Sequence, residues 1–302
     1  MLTDKEKAIV DAWNEFATQP RSDVNKRRRD LEEFCERHGW NANPPAIGAL
    51  HQNVELRAGL NADIAVPKGN GPHRPHPVAL YLHGGAWMSG SAETHRKLGM
   101  RFAEQGYLTI NLNYRLAPEN QFPAGFDDCL FAAKWAAQNA GRWNGDSSRM
   151  LMAGDSAGAN LTAAVLVALS NDSNAPKFRA AGLIYGVFDF PSLIERSPAR
   201  APVEDLARLY LGGHYPEALK DARVSPLRAI KAGALPPCFV ICGTADALLP
   251  ESRLVASALR EAGIECDLQE IDDMPHAFMN MEDLAGCREG HRMMFDFLHS
   301  HV

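Results

Sequence analysis

The chain has 302 residues, 46% hydrophobic and 23% charged, with a formal net charge of −6. Such a chain builds a globular core without a disulfide or metal staple, and its acidic balance excludes a footprint for nucleic acid or a charged membrane surface. Its apolar runs fall short of the ~20 residues that a membrane span needs.

Residues 1–45 read as helical. Apolar residues recur at helical spacing over 5–16, in a stretch (MLTDKEKAIVDAW) that is charged and amphipathic, unlike a secretion signal. A second helix over 23–35 carries KRRRDLEE, whose opposite charges three and four residues apart mark a solvated face. Asn43-Pro44-Pro45 ends the pattern. Two short strands are expected at 53–57 and 62–66, followed by a Pro/Gly/His-rich loop through His76. Strand-like runs follow at 78–82, 108–113, 149–153, 181–188, 238–242 and 266–271. Helix-like runs at 95–105, 126–139, 157–170, 251–262 and 287–298 alternate with them. Continuous apolar strands alternating with helices predict an α/β fold, a mostly parallel eight-stranded sheet covered on both faces. The six cysteines (Cys35, Cys129, Cys238, Cys242, Cys266 and Cys287) form no CxxC pair and read as reduced thiols, which with the N-terminus predicts a cytoplasmic protein.

Residues 189–224 interrupt the alternation: they are Pro-rich and irregular, with a helical piece over 203–211. An insertion at the carboxyl end of a strand lies over the ligand crevice of an open α/β sheet, so this segment and the N-terminal helices are expected to form a helical cap. The expected organisation is a cap segment at 1–50, a core at 51–188 and 225–302, and a cap insertion at 189–224.

GDSAG at 154–158 falls between a strand and a helix. A sharp turn there exposes the Ser156 hydroxyl, strains its backbone, and crowds the flanking segments so that Gly154 and Gly158 tolerate no side chain. A serine hydroxyl needs a base and an acid to orient that base, in the chain order Ser, Asp/Glu, His on this kind of sheet. Asp246 follows the strand-like run 238–242, with Asp272 and Asp273 as rival acids; His276 lies in the loop past the next strand. His83 competes as base, but its place before the serine suits bracing the loop. His-Gly-Gly at 83–85 follows the first core strand and turns unhindered N–H groups into the crevice, where with the Ala157 N–H they would form an oxyanion hole. Trp87 and Asp155, beside these turns, are the candidate substrate-binding residues.

HGGAW at 83–87, YRLAPE at 114–119, FPAGFDD at 122–128, GDSAG at 154–158, SPL at 225–227, GTAD at 243–246 and HAF at 276–278 occur in an order that resembles the hormone-sensitive-lipase-like branch of the α/β-hydrolases, over roughly residues 77–300. The resemblance implies a serine carboxylesterase with Ser156 as nucleophile, Asp246 as orienting acid and His276 as base. It also implies an oxyanion hole of the Gly84, Gly85 and Ala157 N–H groups. Two positions depart from the family pattern: Ala86 stands for the third glycine of HGGG, and Pro250, with Glu251 next, occupies the place of an acid that commonly follows the triad aspartate.

The expected substrates are short- to medium-chain esters, with no metal and no organic cofactor, no nucleic-acid or membrane partner, and a homodimer as a possible assembly. Two other functions fit the same motifs: an arylformamidase-type amidase, and a non-catalytic small-molecule receptor, which the presence of His276 disfavours.

Overall fold

Two amphipathic helices lead the chain, α1 (Asp4–Ala17) and α2 (Val24–Arg37). The computed structural model describes residues 2–19, 23–69, 74–198 and 200–302; part of the loop expected before His76 lies outside the described residues. Thr3 and Glu6 close a capping box at the start of α1, and the other Glu6 oxygen accepts the Ala285 N–H at 2.8 Å. The KRRRDLEE run is not wholly a solvated face. Its Arg28 donates to the Met88 and Ala117 carbonyls and, through two nitrogens, to the Glu119 carboxylate. One guanidinium thus ties α2 to two loops of the core, which charge spacing alone does not reveal.

The strands are β1 (Ala49–Arg57), β2 (Leu60–Val66), β3 (His76–Leu82), β4 (Leu108–Asn113), β5 (Gly145–Asp155), β6 (Ala180–Ile184), β7 (Cys238–Gly243) and β8 (Cys266–Ile271). They form one sheet in the order β1-β2-β4-β3-β5-β6-β7-β8, with β2 antiparallel to both neighbours and all other pairs parallel. The remaining helices are α3 (Arg96–Glu104), α4 (Ala124–Asn139), α5 (Ala157–Ser170), α6 (Phe190–Arg196), α7 (Arg200–Leu211), α8 (Leu249–Glu261) and α9 (Ala285–His299).

Side-chain alternation explains the continuous apolar runs. Val78, Leu80 and Leu82 of β3 pack with α4, α5 and α8 on one face, while Ala79 and Tyr81 pack with α3, α9 and the N-terminal helices on the other. Both faces are buried, so both parities are apolar. β4 lies to one side of β3 and β5 to the other, so the connections leaving β3 and β5 diverge and open a crevice at their carboxyl ends.

Two expectations need correction. The sixth strand ends at Ile184, not 188: Tyr185 has φ +37°, and the apolar residues after it, Phe188 and Phe190, are buried where the insertion begins rather than paired in the sheet. Residues 189–224 also hold more helix than the 203–211 piece. Asp189 caps α6, and Pro191 at its start looks like a breaker in the sequence although a helix accepts proline in its first turn. Asn160 of α5 clamps both ends of this insertion, donating to the Val187 and Val224 carbonyls at 2.7 and 2.9 Å.

Candidate active site

β5 ends at Asp155 and α5 begins at Ala157, so Ser156 is the whole of the turn between them. Its φ of +53° is a left-handed conformation that a side chain resists; the strain is held because the Ser156 N–H donates to the Ile184 carbonyl at 2.8 Å. Glycine is required on both sides. A Cβ at Gly154 would lie 2.5 Å from the Gly158 backbone, and one at Gly158 would lie 1.9 Å from the Leu82 carbonyl oxygen.

The structure brings Ser156, His276 and Asp246 together. The Ser156 hydroxyl lies 2.9 Å from His276 Nε2, and His276 Nδ1 lies 2.7 Å from Asp246 Oδ2. Asp246 is buried, and its Oδ1 accepts the Leu248 N–H at 2.8 Å, which fixes the carboxylate plane. The two loops that carry acid and base touch: Ala245 N–H donates to Met274 O and Asp273 N–H to Thr244 Oγ1. The rival acids Asp272 and Asp273 are exposed on the turn before His276. The rival base His83 is buried and makes no contact with Ser156 Oγ among the hydrogen bonds of the described residues. Its ring stacks on Tyr114 at 4.3 Å and bonds the Gly84 carbonyl through Nδ1, and burial, then the His95 charge, push it down to about 3. It braces the loop as a neutral ring.

The turn at 83–86 is pinned at several points. Tyr114 Oη donates to His83 O, the Gly84 N–H donates to Asp155 Oδ1 at 2.8 Å, and Gly85 O accepts from the Met88 and Ser89 N–H groups and the Ser89 hydroxyl. Among the described residues, no acceptor pairs with the N–H groups of Gly85, Ala86 or Ala157. The expected donor Gly84 is therefore corrected: its hydrogen is already given to Asp155, and the unpaired N–H beside Gly85 belongs to Ala86. Gly85 at φ +120° and Ala86 at φ +55° hold this turn.

Asp155 is corrected as well. It is no substrate-binding residue, because it is buried with Oδ1 accepting from Tyr81 Oη at 2.6 Å and from Gly84, and Oδ2 facing His95 Nε2 at 3.5 Å. At the end of β5 the residue before the serine points to the opposite face from the hydroxyl. Trp87 is buried too, stacked on Tyr210 of α7 at 4.6 Å and beside Phe190 of α6 at 5.1 Å, so it joins the 83–86 turn to residues 189–224.

Tyr185, which no motif marks, has its ring 4.9 Å from the His276 ring. Glu251 also has a role that no motif marks. That carboxylate is buried and accepts the Phe188 and Asp189 N–H groups at 2.9 Å each, and burial raises it above the ordinary carboxylate range. It anchors the start of the insertion to α8, the helix that follows the Asp246 loop. In the sequence it looks like one more acid in the first turn of a helix. No helix among the described residues is long and apolar enough to cross a membrane.

The chain is similar to several known proteins. A family model described as the alpha/beta hydrolase fold matches residues 79–280. Carboxylesterase NlhH of Mycobacterium tuberculosis is 32% identical over 215 residues, 68% of this chain and 67% of that protein. Ethyl acetate hydrolase of Pseudomonas putida is 28% identical over 292 residues, 93% of this chain and 91% of that protein. A solved esterase from the bacterial hormone-sensitive lipase family superposes with a TM-score of 0.82 at 30% identity, covering 100% of both chains.

Proposed function

Since the chain belongs to the α/β-hydrolase family, in its hormone-sensitive-lipase-like branch, and hydrolyses carboxylic esters, we propose that Ser156, His276 and Asp246 carry out that hydrolysis as nucleophile, base and orienting acid. The supporting observation is the hydrogen-bonded chain from Ser156 through His276 to Asp246, set beside three unpaired N–H groups.

His276 Nε2 takes the hydroxyl proton as Ser156 Oγ attacks the ester carbonyl carbon. The Nδ1–H bond to Asp246 holds the tautomer that leaves Nε2 free and stabilises the imidazolium that forms. The Gly85, Ala86 and Ala157 N–H groups receive the oxyanion; each such donor is worth ~2.7–4 kcal/mol where the charge develops. His276 then returns the proton to the departing alcohol. Water, activated by the same ring, attacks the acyl-enzyme, and collapse of the second tetrahedral intermediate releases the acid and restores the serine.

The substrates proposed are short- to medium-chain esters, with α1, α2 and residues 189–224 as the cap that limits their size. The relative that hydrolyses ethyl acetate supports the short end of that range. The aromatic packing of Trp87, Phe190 and Tyr210, which fills space beside the oxyanion turn, supports it too. A reducing cytoplasm is the proposed location, supported by six unpaired cysteines, five of them buried.

Initial rates on p-nitrophenyl esters from acetate to dodecanoate, with wild type and Ser156→Ala side by side, test this function. Short-chain activity that vanishes in the variant and falls with chain length is the expected result. A folded wild type that leaves these esters intact but cleaves a matching formamide would replace it with an amidase.

A further inference from the structure

We propose that His95 is a positioning residue of this site, fixing the Asp155 carboxylate so that it aims the 83–86 turn at the developing oxyanion. The inference rests on the assignment of Ser156 and the oxyanion N–H groups above.

His95 sits at the start of α3, far from the sequence motifs of catalysis, and is buried. His95 Nδ1 lies 2.9 Å from Thr94 Oγ1, whose hydroxyl is the donor when the ring proton is on Nε2. The other ring nitrogen faces Asp155 Oδ2 at 3.5 Å. Trp40 packs edge-on against the ring at 5.9 Å and His83 lies 5.6 Å away on another side, so the imidazole is held by a bond, a carboxylate and two rings.

That ring decides how Asp155 presents itself. One oxygen faces His95, which leaves the other to take both Tyr81 Oη and the Gly84 N–H. Burial alone would raise the Asp155 carboxyl, but the neighbouring His95 ring and the hydrogen bond from Tyr81 outweigh it and keep the group below its ordinary value. Asp155 thus stays an anion able to grip Gly84. Its backbone meanwhile carries Ser156. A single residue, held by His95, sets the spacing between the nucleophile and the loop that supplies the Gly85 and Ala86 donors. Donors act only when placed ~2.7–3.1 Å from the oxyanion, and a misplacement of ~1 Å costs ~10²-fold.

The test compares wild type, His95→Gln and His95→Phe on p-nitrophenyl acetate. It adds a trifluoromethyl ketone, whose adduct on the serine carries an oxyanion. His95→Phe should lose ~10–100-fold in kcat with KM within about twofold, and the ketone should weaken by the same factor. His95→Gln keeps an N–H toward Asp155 and should recover about tenfold of that loss. Thermal unfolding of each variant gives the folded fraction, to which rates are normalised; if His95→Phe does not fold, His95→Gln against wild type carries the comparison, with a smaller matched loss in kcat and ketone affinity. A lower Tm with unchanged kcat and ketone affinity, or a raised KM with unchanged kcat, overturns the assignment. Ser156→Ala separates the two levels. If that variant keeps the activity, the assignment of the nucleophile has failed and that of His95 with it. If it is inactive while His95→Phe matches wild type, only the assignment of His95 has failed.

Discussion

Gly158→Ala perturbs the site through a single methyl group. The added Cβ would lie 1.9 Å from Leu82 O, 2.6 Å from Leu82 C and 2.7 Å from His83 O. An ordinary carbon–oxygen contact is roughly 3.3–3.6 Å, so the segments must part by more than an ångström. Leu82 belongs to β3 in the middle of the sheet and cannot yield; the start of α5, with Ser156 and Ala157, must move instead. Such a shift takes the Ala157 N–H and the hydroxyl away from the 83–86 turn together. Loss of one oxyanion donor is worth ~10²–10³ in kcat and the overpacking ~1–3 kcal/mol of stability. The expected variant folds with a Tm lowered by several degrees and with kcat reduced ~10²–10³-fold, while KM on p-nitrophenyl acetate changes little. Gly141→Ala, whose Cβ meets nothing within 4 Å, is the control and should match wild type. A Gly158→Ala enzyme with wild-type kcat would refute the close-approach account of the turn.

Asp246→Asn keeps the size of the side chain but presents an N–H to His276 Nδ1, which favours the wrong tautomer. Its kcat should fall ~10⁴-fold with the fold intact by circular dichroism; a loss under tenfold would contradict the role given to Asp246. Glu282 tests an ion-pair cluster beside α3. Burial raises this carboxyl, but hydrogen bonds from Arg101 and Lys97 overcome that and bring it from 4.5 to about 2. A group lowered in the folded state stabilises above its unfolded value and loses that contribution as pH falls through the folded one, here between 4.5 and about 2. The gap corresponds to at most about 3 kcal/mol. Glu282→Gln should therefore unfold earlier than wild type at pH 7 and show a flatter decline in acid, measured by denaturant titration. Equal stability at pH 7 would remove the cluster from the account.

The parts of the molecule legible in the sequence are those whose signal is local. β3 and β7 are buried on both faces and flanked by turn residues, so each reads as an apolar run of strand length. Ser156 and Asp246 each follow a buried strand end and His276 follows β8, half-buried at the sheet edge, and their chain order restricts the choice of partners. What stayed hidden depends on what lies across space. Gly84 looks equivalent to Gly85 until Asp155 takes its N–H. Asp155 looks like a substrate ligand because it adjoins the nucleophile, yet strand alternation turns it inward. The run through Phe188 looks like strand because burial under the insertion and burial in a sheet select the same residues. His95 has no motif at all; its place beside Asp155 comes from packing α3 against β4.

The most direct test of the central claim is to find the covalent adduct. A p-nitrophenyl alkylphosphonate transfers its phosphonyl group to an activated serine and releases one p-nitrophenolate. Intact-mass and peptide mapping after such treatment should place a single phosphonyl group on Ser156. Loss of activity should track the label, and Ser156→Ala should take up none. Labelling of a different residue with loss of activity, or full ester hydrolysis by an enzyme labelled at Ser156, would contradict the account.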